Sequence, residues 1–385
     1  MIKAEVNEIK RLYTPSNCSI TRICGCYVDG EKNKKTEFKE AFLSLPEEEI
    51  FKYFELLRKT LSGTIGKNML NLEFPLATEE EGGTQEFLLR LRESKLKDDA
   101  LLEEFYNKVI GSYDYVGNYL ILLIHDAYDV PGKTSDGLTM DDASDTVFEY
   151  ILCCICPVNL SKPGLSYDAQ ANEFHNRVRD WIVEMPETGF LFPSFNDRCT
   201  DIHSTLYYAK NPEEAHPEFV DGILGAVLPL SAGSQKETFQ ALIEETLGED
   251  AEYEVVKNIH ENLTEMIEEH KEIPEPLMLD KHQVKNLFEK SGVQEEKLND
   301  FEMLYDAAAG ENTSLMVSNV VNTRTFEVKT PDVVVKVNPE RADLVNTVTI
   351  EGRRCLVIEL SDHVEVNGIT IRTGNAAPYE EEEEY

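Results

Sequence analysis

The longest apolar run in the chain that contains neither a charge nor a turn residue before its proline is Ile151 to Val158, Ile-Leu-Cys-Cys-Ile-Cys-Pro-Val. Its length suits a buried strand better than a helix. Two other runs are its expected partners, Tyr119 to Ile124 and Ser19 to Val28. All three pass abruptly into polar, turn-rich segments, and this pattern predicts the buried strands of one sheet. Around them the apolar spacing turns helical. Ile2, Val6, Ile9 and Leu12 make one face of a short helix ended by Thr14 and Pro15. A second helix opens at Leu45-Pro46, with a proline in its first turn and Glu47, Glu48 and Glu49 where acids favour a helix N-terminus. Its stripe is Ile50, Phe54, Leu57 and Leu61, and Gly63 stops it. Further helical patterns cover 84–94 and 98–111, the latter with Leu101, Leu102, Phe105, Val109 and Ile110.

Residues 125–147 read as an acidic, glycine-containing loop between two of the apolar strands. Residues 164–232 are mixed in period, with the only tryptophan, Trp181, and a strand expected over 204–210. Gly222 to Ser234 is small and apolar, which puts a domain boundary near 233. The next segment, to 309, carries four helical stripes. From 313 to 372 the period falls to two, and hairpin turns are expected at Thr330-Pro331-Asp332, Glu351-Gly352-Arg353 and Asn367-Gly368. The last is the strongest hairpin signal, because both turn residues need positive φ. The expected fold class is α+β. A mixed sheet with flanking helices occupies residues 1–232, a helical segment 233–311, and a small antiparallel β-module 312–373. A disordered acidic tail, 374–385, follows.

Composition narrows the partners. The chain has 385 residues and 41% hydrophobic residues, enough for two or three packed domains. Against 37 lysines and arginines stand 73 acids, a formal net charge of −36. Nucleic-acid backbones and anionic membrane surfaces repel such a chain, so a basic protein, a small molecule or a cation is the expected partner. The longest apolar runs are about half of what a bilayer crossing needs. The acidic N-terminal stretch lacks the apolar region of a signal peptide, so a cytoplasmic setting is expected. Of the eight cysteines, Cys24, Cys26, Cys153, Cys154 and Cys156 fall in apolar strands, where thiols act as small hydrophobes. Their spacing does not fit a zinc site, and no disulfide is expected.

Most catalytic patterns fail on spacing. Around Gly66-Lys67 a phosphate loop would need a glycine at Leu61 and a serine or threonine at Asn68. His260-Glu261 meets Thr264 where a metalloprotease helix needs its second histidine. The helices near 281–290 and 295–309 resemble a helix-turn-helix in spacing, but the second presents Glu295, Glu296, Asp300, Glu302 and Asp306 rather than bases. Two constellations remain. Asp126 and Asp129 open the acidic segment that also holds Asp136, Asp141, Asp142 and Asp145, and carboxylates at strand ends can hold a divalent cation. A solvated surface loop is the plainer account, since the spacing does not match the twelve-residue calcium loop. Asp197, Arg198, Asp201 and His203 combine a fixed cation, two acids and an imidazole beside Phe190, Phe192 and Phe195, the makings of a ligand pocket. A salt-bridged loop over aromatic side chains is the plainer account.

The stretch Arg11 to Val28, Arg-Leu-Tyr-Thr-Pro-Ser-Asn-Cys-Ser-Ile-Thr-Arg-Ile-Cys-Gly-Cys-Tyr-Val, resembles the N-terminal signature of a bacterial family, the domain of unknown function numbered 4317. The resemblance runs to about Arg372 and leaves out the glutamate tail. It implies a bacterial, cytoplasmic setting and transfers no activity, cofactor or catalytic residue. The resulting expectation is a non-enzymatic interaction or regulatory protein whose acidic surface meets a basic partner. The alternative is a ligand-binding protein or enzyme using the pocket near residues 197–203, with no cofactor beyond a divalent cation.

Overall fold

The computed structural model describes residues 1–133, 139–140, 146–248, 251–359 and 364–371. Asp136, Asp141, Asp142, Asp145 and the expected tail from Gly374 lie outside the described residues. The chain divides into two compact units, Met1–Gln235 with Ile273–Pro276, and Lys236–Glu272 with the residues from Leu277 onward. The fold is α+β, as the alternation of periods implies.

The first unit is built on one large sheet. Its strands are β1 (Ile20–Val28), β2 (Lys34–Ala41), β3 (Met69–Glu73), β4 (Asn118–Val130), β5 (Thr146–Leu160), β6 (Trp181–Val183) and β7 (Thr188–Phe192). A small hairpin, β8 (Ser194–Asn196) and β9 (Cys199–Asp201), precedes the last sheet strand, β10 (Ser204–Ala209). The strand order is β2-β1-β4-β5-β7-β10-β3, with β6 paired to β5 off this path. Every ladder of the sheet is antiparallel, which corrects the mixed sheet expected from sequence: the spacing of apolar runs does not fix the direction in which strands pair. The three apolar runs lie side by side as β1, β4 and β5. Their continuous hydrophobicity has a physical reason: helices cover both faces, so neither set of alternating side chains meets water.

On one face pack α3 (Thr84–Glu93) and α4 (Asp99–Ser112), whose Phe87, Leu91, Leu102 and Phe105 meet Cys153, Ile155 and Phe190. On the other pack α1 (Lys3–Lys10) and α2 (Glu47–Thr60), whose Ile9, Phe54 and Leu57 meet Leu122, Leu152 and Cys154. Asp98 caps α4, accepting the N–H groups of Ala100 and Leu101. The close approach of α2 requires Gly189. A Cβ there would sit 2.3 Å from the Cys153 carbonyl oxygen and 2.8 Å from Thr60 Cγ2. Each fully buried Leu, Ile or Phe stabilises the unit by about 1.5–3 kcal/mol, and the ladder between β4 and β5 concentrates many of them.

One expectation is corrected. His125 to Val130 are not part of a loop: β4 continues through Val130 and pairs residue by residue with β5, down to Val130 opposite Thr146. Asp126 stays in the strand because Tyr150, opposite it on β5, donates to its carboxylate, and His125 Nδ1 meets Thr21 of β1.

The second unit carries helices Tyr253–Glu269, Lys281–Lys290 and Phe301–Ala308, continuing from Ala232–Leu247, which spans the division between the units. Phe239, Phe288 and Phe301 pack edge to face among them, and Tyr305 lies tilted against Phe301. Three hairpins follow, Phe326–Lys329 with Val334–Val337, Val345–Ile350 with Arg353–Ile358, and Val364–Val366 with Ile369–Ile371. They form separate two-stranded ladders. Positive φ at Glu351 and Gly352, and at Asn367 and Gly368, gives two of them the turn that hairpin twist favours. Among the described residues no helix is long and apolar enough to cross a membrane.

Candidate functional site

The chain from β8 to β10 builds the rim of a cleft. The β8–β9 hairpin has a two-residue turn, Asp197-Arg198, with φ of 50° and 58°. Two consecutive positive φ values define the turn type that matches strand twist, and neither residue is the usual glycine. The turn is held instead by its own side chain. Arg198 Nη2 donates to Glu8 Oε1 at 2.8 Å and to the Pro131 carbonyl at 3.1 Å, while Nε reaches both Glu8 oxygens. The Glu8 carboxylate raises the Arg198 pKa above its ordinary value despite partial burial. Tyr128 adds a hydroxyl bond to Glu8 at 2.9 Å.

Asp201 closes the hairpin. Its Oδ2 accepts Ser204 Oγ at 2.5 Å and Asn196 Nδ2 at 2.6 Å, and its Oδ1 accepts the His203 N–H at 3.0 Å. Burial pushes its carboxyl up, but the bonds from Ser204, Asn196 and the His203 N–H outweigh that and hold it below the ordinary carboxylate value. His203 then turns outward, its Nδ1 2.7 Å from Glu79 Oε1. Since a carboxylate only accepts, the contact assigns a proton to Nδ1 and leaves Nε2 as the other working nitrogen. Glu79 arrives on a short 3₁₀ turn after β3, anchored where the Phe74 N–H donates to the His203 carbonyl at 2.9 Å.

These residues surround a cleft of about 560 Å³. Asp197, Asp201 and His203 line it, joined by Glu5, Glu73 and Glu79. Arg198 does not: its guanidinium is committed to Glu8 and the Pro131 carbonyl. Of the four residues expected from sequence, three therefore share the cleft and the fixed cation is directed elsewhere. Among the described residues the lining has no lysine or arginine. The Met1 amino group donates to Asn71 Oδ1 on the same wall. Phe74 and an 81% exposed Leu76 supply an apolar shoulder. Sequence reading missed Glu5, Glu73 and Glu79. Glu79 stands 124 positions from His203 within an acidic run that looks like any solvated surface, and no local spacing links them.

The pair proposed for a divalent cation separates. Asp126 and Asp129 are three residues apart on β4, so their side chains leave opposite faces of the sheet. Asp126 is fully buried and accepts the Tyr150 hydroxyl at 2.7 Å, and that oxygen lies 3.1 Å from the Tyr13 hydroxyl. Burial raises the Asp126 pKa, against the bonds from Tyr150 and the Ala127 N–H. Asp129 is exposed. Among the described residues no group of three or more His, Cys, Asp or Glu side chains is placed to hold a metal ion. All eight cysteines are free thiols, and burial pushes those at Cys26 and Cys154 up to about 12.

No curated protein matches the chain. The family signature between Arg11 and Val28 occupies the approach to β1 and β1 itself, at the heart of the sheet, and the match extends well beyond it. A family model described as a domain of unknown function, DUF4317, covers residues 1–369, and the chain belongs to that family.

Proposed function

We propose that the chain is a non-enzymatic interaction protein whose acidic cleft receives a lysine or arginine side chain of a basic protein partner. One observation carries this reading: carboxylates line a concave cleft beside the exposed apolar side chain of Leu76, with the buried Phe74 behind it. Lysine and arginine have that double character, an apolar stem and a charged head. Asp201, held as the carboxylate by its three donors, supplies a preorganised negative end. Free, buried thiols suit a reducing compartment, which supports the bacterial cytoplasm as the setting. The net charge of −36 argues against direct contact with nucleic acid.

The test is calorimetric titration with a lysine- and arginine-rich peptide, comparing the native chain with the Glu79→Gln, Asp197→Asn, Asp201→Asn triple variant. Binding that weakens about tenfold or more in the variant supports the reading. Equal binding by both proteins sinks it.

The contact between Glu79 and His203 favours a second reading, a small-molecule binding protein or enzyme with His203 Nε2 as proton acceptor. A divalent cation belongs to that reading only, through the cleft carboxylates. A small-molecule screen read by melting temperature, repeated on His203→Ala, separates the two.

A further inference from the structure

A second concavity lies between α2 and β6, with a volume of about 460 Å³. It shares no lining residue with the acidic cleft and is mostly apolar, lined by Tyr53, Leu56, Leu120, Trp181, Val183 and Met185. Trp181, Ile182 and Val183 are 56%, 46% and 40% exposed, an unusual amount of large apolar surface for three consecutive strand residues. Trp181 stands opposite Leu160, and Val183 opposite Val158. Val158 belongs to the core that packs α2, so both side chains rise on the α2 face.

The backbone of β6 is engaged along one edge. The Ser161 N–H donates to the Asp180 carbonyl, and the Glu184 N–H to the Pro157 carbonyl, each at 2.8 Å. In an antiparallel ladder such residues alternate with ones whose N–H and C=O point away. Asp180, Ile182 and Glu184 thus face β5, and the N–H and C=O of Trp181 and Val183 point from the sheet. Among the described residues no strand pairs with that edge. The contrast with β2 is informative. That edge strand reads Lys-Lys-Thr-Glu-Phe-Lys-Glu-Ala and blocks strand addition with charge. Trp-Ile-Val carries none.

We infer that β6 and its groove bind an extended peptide segment of a partner protein, added as a further strand, with alternate apolar residues and basic residues between them. The open edge selects an extended backbone, and the groove selects alternate apolar side chains. Charge selects the basic residues. Glu49 and Glu55 outnumber Lys52 on the groove wall, and Glu184 follows the strand. Arg179, before the strand, is engaged with the Ser161 and Leu160 carbonyls. A second copy of this chain is disfavoured as the occupant, since it brings −36 against −36. The inference is independent of the acidic cleft and survives its failure.

Trp181 is the only tryptophan, so the emission of the native chain reports this groove directly. The probe is a synthetic peptide of about nine residues alternating valine and lysine, a usual strand length being about five or six; its control alternates valine and glutamate. Val183→Pro removes the outward N–H, leaves the β5 ladder and every charge in place, and suits an edge position. Met185→Lys, which alters the groove without touching the ladder, is the second variant, and thermal melting checks that both fold. The expected result is a saturable blue shift with the lysine peptide, weakened about tenfold or more by either variant. Equal affinity in the native chain and a folded variant overturns the inference, as does equal binding of the glutamate peptide. A shift driven by protein concentration alone also overturns it and assigns the groove to a second copy.

Discussion

Two histidine–carboxylate neighbourhoods in the first unit use the same residue types for opposite ends. On β4, His125 and Asp126 are adjacent in sequence and fully buried on opposite faces of the sheet. His125 Nδ1 meets Thr21 Oγ1 at 2.8 Å, its Nε2 is buried without a hydrogen bond, and Glu149 stays 3.9 Å away. At the cleft, His203 is mostly exposed and touches Glu79 at 2.7 Å. Burial makes the first neighbourhood a stability element that resists charging. Exposure leaves the second open to ligands and nearly irrelevant to folding. Residue type therefore says little about role until the dielectric around it is known.

The pH dependence of unfolding tests this contrast most strongly. Burial lowers the His125 pKa from 6.5 to about 4, only partly opposed by Glu149, while Lys95, Arg92 and Lys97 push the same way. Between those values the unfolded chain binds more protons than the folded one. His125 thus contributes fully above about pH 6.5, and stability drops as pH falls toward 4, by up to roughly 3 kcal/mol. Asp126 acts oppositely. Its raised pKa means the folded state holds a proton longer, so its contribution declines as pH rises above the ordinary carboxylate value. Denaturant melts from pH 4 to 7 should show a rise that His125→Asn flattens. A profile unchanged by that substitution breaks the contrast.

Next in size is Tyr150→Phe, which removes the donor to Asp126 and the contact with Tyr13. The expected loss is about 1–3 kcal/mol, the cost of an unsatisfied buried group, read as a lower denaturation midpoint. Arg198→Ala is expected to cost about 1 kcal/mol, since its pair with Glu8 is partly screened by solvent. Hydrogen exchange should locate that loss at the β8–β9 turn. Smallest is His203→Ala, expected to change stability by less than about 0.5 kcal/mol. A larger loss in its thermal melt removes the distinction between the two neighbourhoods.

Much of the frame was legible because it rests on periodicity. The runs at Ser19 to Val28, Tyr119 to Ile124 and Ile151 to Val158 become three adjacent strands, and the stripe Phe54-Leu57 becomes the buried face of α2. The α+β class and the family signature follow from such local patterns. The continuation of β4 through His125 to Val130 was not legible, because Asp126 and Asp129 look like loop residues until Tyr150 is seen across the ladder. The cleft was half legible. Asp197, Asp201 and His203 lie close enough in sequence to be grouped, and they share the cleft. Arg198 in the same stretch turns away, since the turn geometry and Glu8 direct it. Trp181 stood out as the only tryptophan, but nothing local says that it sits on an open strand edge.

By itself the sequence determined the three central strands, the helices with clear apolar stripes, the net charge, and the family. These depend on local periodicity, composition and a contiguous signature, all readable along one dimension. Tertiary structure decided which carboxylates face a cleft, which one is buried against tyrosine, and which backbone groups remain unpaired. Those depend on strand register and on contacts between residues from 24 positions apart, Asp126 and Tyr150, to 124, Glu79 and His203. There, a shift of one residue would exchange a buried face for an exposed one.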